Sequence, residues 1–186
     1  MKGNVSMERT GWQQTWVRVL ITTMTASVML LIFFFSNETA DRSDQTSGIF
    51  ARAAIGIAYP DFSEMPEDEQ EEIYNVMQHL VRKTAHFTEY ALLGLLIRFC
   101  MQSWIGGRKH LLPAAWTFGT LYAATDELHQ LLTDGRAGQW TDVVLDSSGV
   151  LAGAVIAAVI VVLGSRAYIA AKEKEDREPD GLLQKQ

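Results

Sequence analysis

The sequence predicts an all-α membrane fold: four spanning helices, with an amphipathic helical segment between the first and the second. Three observations carry this expectation. Apolar residues are gathered into four blocks, whereas the charges fall in the gaps and the tail. Each block comes close to the roughly 20 residues a helix needs to cross a bilayer. Ionisable residues crowd the ends of three of these blocks, where hydrocarbon would make them costly unless they are partnered or used.

Bulk composition says less than distribution. The chain has 186 residues, one domain by length, and its 48% apolar content is that of an ordinary globular protein. A net charge of −6 without a basic stripe argues against nucleic acid as a partner. The single cysteine, Cys100, rules out a disulfide framework and a thiolate metal site, and it is expected to be a buried thiol.

In chain order, residues 1–16 are a polar leader. Residues 17–35 (V-R-V-L-I-T-T-M-T-A-S-V-M-L-L-I-F-F-F) form the first span, with Arg18 near enough to its end to snorkel. The long apolar run and the lack of a small-x-small site in S-N-E-T-A-D argue against a cleaved signal. Residues 36–84 are too long to be structureless. Ile49, Phe50, Ala53, Ala54 and Ile57 recur at helical spacing. Pro66 followed by Glu67, Asp68 and Glu69 marks a helix start. The stripe Ile73, Val76, Met77 and Leu80 continues that helix, to lie on the bilayer surface or on neighbouring protein. Further spans are expected at 85–105, 111–132 and 141–163, with Gly106-Gly107-Arg108-Lys109 joining the second to the third. Residues 17–165 thus form the membrane domain, and 166–186 a charged tail in which a fraying helix end gives way to disorder.

Orientation follows from lysine and arginine. The leader, the 106–110 connection and the tail share a side in a four-span chain and hold ten of these residues, against five on the other side. Both termini are therefore expected in the cytoplasm, and Arg98 can snorkel toward the same inner end.

This topology brings polar residues from three spans to one level at the outer end. Lys83, His86, Tyr90 and Gly94 share one helix face, with Arg82 and Glu89 nearby. Asp126 and Gln130 share a face of the third span, beside Glu127 and His129. Asp142 and Asp146 continue into Gly149, Gly153 and Ala157 on the fourth. Gly149 and Gly153, four apart, suit close backbone packing between membrane helices. Arg136, between Gly135 and Gly138 in the turn, could grip a phosphate or carboxylate with its planar fork. Thr141 would serve as an N-cap and Asp142 as a first-turn acid. A clamp made of ion pairs and a ligand pocket both account for such a cluster. No spacing matches a metal motif, so neither metal nor cofactor is expected. Ser147, His129 and Asp142 can be written as a nucleophile triad, though nothing singles the serine out.

K-T-A-H-F-T-E-Y-A-L-L-G at 83–94 and D-E-L-H-Q-L-L-T-D-G-R-A-G-Q-W-T-D-V-V-L-D-S-S-G at 126–149 resemble the VanZ-like family of bacterial membrane proteins. That family is named for an accessory teicoplanin-resistance protein. Lys83, His86, Tyr90, Asp126, Glu127, Gln130, Arg136, Asp142, Gly149 and Gly153 match its pattern, and Asp146 stands where many members carry asparagine. The resemblance implies a multi-pass protein of the bacterial cell membrane, linked in some members to lipoglycopeptide resistance. It implies no settled activity.

The preferred expectation is a binding protein rather than an enzyme. Its ligand would be an anionic lipid-linked or cell-envelope molecule, held at Lys83, His86, Tyr90, Asp126, Glu127, Gln130, Arg136, Asp142 and Asp146. Its partners would be membrane lipids or an envelope precursor, and also a glycopeptide antibiotic or another membrane protein. The alternative is a hydrolase or transferase of lipid head groups, with His86 or His129 as acid–base and Asp126, Glu127 or Asp142 as its orienter or as a metal ligand.

Overall fold

The computed structural model describes residues 3–37, 40–106, 110–132 and 139–177. Among them the chain is all helical: α1 (Gly3–Ser36), α2 (Ala40–Ala58), a single 3-10 turn (Phe62–Glu64), α3 (Glu67–Ile105), α4 (Leu111–Gln130) and α5 (Trp140–Arg177).

The axis of the molecule is α3, which packs on all four other helices and most extensively on α5. Its 39 residues make a rod about 58 Å long. The sequence suggested two pieces here, a surface helix and a separate span from residue 85, but the structure has one helix. The reason is local: no glycine or proline interrupts residues 67–93, so the backbone hydrogen bonds run on while the side-chain pattern changes from amphipathic to apolar. Pro66 caps the start, followed by Glu67, Asp68 and Glu69 at the positive end of the helix dipole. Gly106 ends the helix in the left-handed region at φ 69°, donating its N–H to the Gln102 carbonyl.

The first part of α3 is covered by α2 rather than left on a surface. The two run antiparallel as a hairpin: Arg82 meets Asp44 at 3.1 Å, Gln78 donates to the Asp44 carbonyl, and Arg52 lies over the Tyr74 ring. Ala51 and Ile55 are the buried apolar side chains of α2, beside buried Ser47 and Gly48, whereas Ile49, Phe50 and Ile57 stay exposed. The apolar spacing read there was right in marking a helix. All three of its large side chains, however, are more than half exposed.

The core is narrow, built from Ile32, Tyr90, Leu93, Ile97, Ala115, Ala123, Val150 and Ala154. Glycine lets its helices approach. A Cβ at Gly149 would stand 2.5 Å from the Phe87 carbonyl oxygen, and one at Gly153 would overlap the Ala91 carbonyl and lie 2.8 Å from the Leu95 nitrogen. Gly94 receives the Val150 backbone from the other side, and Gly119 of α4 receives the Val150 side chain. One seam therefore joins α3 and α5 at backbone contact distance, with α4 packed on it through Gly119 and the Val150 side chain.

Large apolar side chains point outward instead. Phe34, Leu121, Ile156 and Val159 are all half or more exposed. Two stretches, 14–36 in α1 and 140–174 in α5, are long and apolar enough to cross a membrane. α3 and α4 fall outside that criterion; their apolar residues are interleaved with the charged and polar groups that meet at the cluster.

Other expectations meet the structure as follows. α1 is helical from residue 3, so most of the leader continues the first span, and α5 carries its helix through residue 177. The expected disorder falls in 178–186, outside the described residues. Arg98 is buried and bonds Gln102 one turn further along α3. Cys100 is half-buried rather than buried, 3.5 Å from the Thr22 hydroxyl.

Candidate functional site

The 3.6-residue repeat of α3 sets Lys83, His86 and Tyr90 along its α5-facing side, and α5 answers with Asp142 and Asp146 one turn apart. Lys83 pairs with Asp142, both side chains about one-fifth exposed. One turn deeper, His86 Nδ1 stands 4.0 Å from Oδ1 of Asp146. Asp146 is 1% exposed, and the Tyr90 ring below it is completely buried. That Asp146 Oδ1 has no hydrogen-bond partner among the described residues, whereas the Tyr90 hydroxyl lies within reach of Asp126. A buried carboxylate oxygen without a hydrogen bond is costly, so it points to an occupant or a function.

α4 closes the cluster with Asp126, Glu127 and Gln130, all buried. Gln130 donates to Asp126 at 3.3 Å, so the last turn of α4 ties itself together. Glu127 accepts the backbone N–H of Gln139 and fixes the start of α5 to the end of α4. Helix α5 begins at Trp140, so Thr141 lies inside its first turn rather than at the cap.

Carboxylates outnumber cations here. Asp146 and Glu127 are in electrostatic reach of each other and of Asp126, Asp142 and Lys83, and Glu89 is in reach of Asp126. Among the described residues no three His, Cys, Asp or Glu side chains converge as a metal site.

Not every candidate joins this group. His129 turns to α1, where Nε2 lies 2.7 Å from the Asn37 side-chain oxygen and the ring stacks on Phe33. Ser147 turns to α4 and bonds Trp116 and Thr120. Ser147, His129 and Asp142 thus have three different sets of partners, and the triad is not assembled. Arg136, with Gly135 and Gly138, lies in 133–138, outside the described residues.

Beside the cluster is a cavity of about 210 Å³, walled by the end of α1, the start of α2, α3 and Asp126 of α4. Ile32, Phe35, Phe50 and Val81 give it apolar walls, and Arg82, His86 and Glu89 of α3 supply charge or polarity. The α2 wall, Ser43, Thr46, Ser47 and Phe50, was not read from sequence. A signal for it existed: those positions fall at i, i+3, i+4 and i+7, one helix face. Following only the apolar residues of α2 concealed the face that matters.

No curated protein and no solved structure matches the chain. A family model described as VanZ/LLP1 matches residues 21–162. That stretch takes in about the last half of α1, the α2–α3 hairpin, the glycine seam and every member of the polar cluster. The chain belongs to the VanZ/LLP1 family.

Proposed function

We propose that this protein is a multi-pass membrane binding protein of the bacterial cell envelope. In this reading α1, α3, α4 and α5 cross the membrane, both termini are cytoplasmic, and the polar cluster lies at the outer end of the bundle. The cavity beside it holds the head group of an anionic, lipid-linked envelope ligand. The observation that carries the reading is a cavity joining a polar cluster to a bundle with an apolar outside. The cavity exceeds the ~150 Å³ void that accommodates benzene, yet it is well below the size of a whole lipid. A head group would fill it while acyl chains lay along the exposed faces of α1 and α2. Occupying envelope precursors in this way would reduce their exposure to teicoplanin-like drugs.

The geometry modifies one part of the expectation. Lys83 is engaged by Asp142, so Arg82 and Arg136 are left as the residues to receive an anion. Arg82 keeps free donors after bonding Asp44 through one nitrogen, because a guanidinium carries five.

The test is mass spectrometry of lipids carried through detergent purification by the parent and by Ala85→Trp, which fills the cavity from α3. Phosphate-bearing envelope lipids retained by the parent and lost from the folded variant support the proposal. Equal retention by both refutes it.

One observation favours a second reading. His86 lines the cavity beside Asp146, an arrangement suited to an acid–base histidine with an orienting carboxylate. Turnover of a retained lipid that stops in His86→Gln would establish a hydrolase or transferase.

A further inference from the structure

The walls of the cavity restrict what its ligand can be. Arg82, with a side chain 39% exposed, stands at the mouth. Asp126, 5% exposed, forms the floor, and Glu89 lies between. Among the described residues Glu89 forms no ion pair. An anion pushed to the floor would face two acids across a poorly hydrated space, where like charges repel strongly. Its place is the more exposed end, against Arg82, since His86, the other basic group of the lining, faces Asp146.

The floor calls for the opposite chemistry. Ser36 lines the same cavity, is 3% exposed, and its hydroxyl has no hydrogen-bond partner. Carboxylates accept hydrogen bonds, and a serine hydroxyl can accept as well as donate. A group bringing N–H or O–H donors would satisfy Ser36, Glu89 and Asp126 together, where an anion or a methylated cation would leave acceptors unmet.

Resting on the binding reading above, we infer that the cavity selects a phosphodiester-linked head group carrying hydrogen-bond donors on its far end, inserted donor end first. Those donors belong to a primary ammonium or to hydroxyls. The phosphate stays at the Arg82 mouth, and Glu89, Asp126 and Ser36 read the donors.

Four phospholipids with identical acyl chains test this against the purified full chain by native mass spectrometry. They are phosphatidylethanolamine, phosphatidylcholine, phosphatidylglycerol and phosphatidylmethanol. The ethanolamine–choline pair keeps the positive charge and removes the N–H donors; the glycerol–methanol pair keeps the phosphodiester and its charge and removes the hydroxyls. Ethanolamine or glycerol lipid should be retained about tenfold over its donor-free counterpart, a difference of about 1.4 kcal/mol. A dominant ethanolamine preference identifies the ammonium as the source, and a dominant glycerol preference the hydroxyl.

Glu89→Gln is the main variant, since it keeps the side chain's shape at a half-buried position. It should erase most of the preference while retaining binding. Ser36→Ala should reduce the preference with little structural risk, whereas Asp126→Asn disturbs a buried site and serves only if it folds. Equal retention of all four lipids by the parent, or an unchanged preference in Glu89→Gln and Ser36→Ala, overturns the donor inference and leaves the binding reading standing. Retention of none of the four overturns both.

Discussion

Gly153 offers the sharpest test of the packing. It lies on α5 against Ala91 and Leu95 of α3, and even a single Cβ there would overlap the Ala91 carbonyl. The obstructing atoms are backbone, so no rotamer change can relieve the clash and the helices must separate. Replacing glycine by alanine inside a helix is favourable by about 0.8–1.0 kcal/mol from propensity alone. Overpacking costs about 1–3 kcal/mol and occasionally more. For Gly153→Ala the clash is with backbone, so the upper part of that range, about 2–3 kcal/mol, applies and leaves a net loss of about 1–2 kcal/mol. For a chain of this length that lowers the melting temperature by about 2–8 °C. Gly164 is the internal control, because nothing lies within 4 Å of a Cβ built there. Gly164→Ala should melt at or slightly above the parent. The assay is thermal unfolding of the purified proteins in one detergent, followed by intrinsic fluorescence. If Gly153→Ala melts as high as Gly164→Ala, the α3–α5 seam is not close-packed and the glycine argument fails.

Two further outcomes follow from the cluster and its loop. Lys83→Met should destabilise the protein by about 1–3 kcal/mol, less than a fully buried pair because both partners are one-fifth exposed. The double variant Lys83→Met with Asp142→Leu should recover part of that loss in the same melting assay; additive losses would show the pair to be unimportant. Arg136→Ala, at a position outside the described residues, should melt near the parent while losing retained phosphate-bearing lipid. Arg136→Lys should restore retention only in part, since lysine lacks the forked geometry. Unfolding of Arg136→Ala, or full retention by it, would remove Arg136 from the ligand's contacts.

Much of the helical order was legible because membrane-like segments segregate their chemistry. The apolar blocks located α1, α4 and α5, and charged residues at the block ends located the cluster. Gly149 and Gly153 were legible as a pair because small residues four apart have one common use in such helices. Three features were not. The continuity of α3 was hidden by a change of side-chain pattern near residue 85, although the unbroken run without glycine or proline encoded it. The α2 wall was hidden because serine and threonine give no hydropathy signal, only a spacing. The separation of His129 and Ser147 from the cluster depends on angles of about 100° per residue and on which neighbour each face meets. His129 is three residues from Asp126, yet Asn37 and Phe33 of α1 claim it. Nothing within the third block specifies that α1 lies there.

The central claim is that the cluster and cavity lie at the outer end of a four-span bundle, and cysteine labelling in intact cells tests it most directly. In a Cys100→Ser background, single cysteines at residues 62, 107, 137 and 178 are exposed to a membrane-impermeant maleimide. The account predicts labelling of 62 and 137 in intact cells, and of 107 and 178 only after permeabilisation. Labelling of 107 from outside would contradict the account, because the helix ends that build the cavity would then lie on the cytoplasmic face or be divided between the two faces.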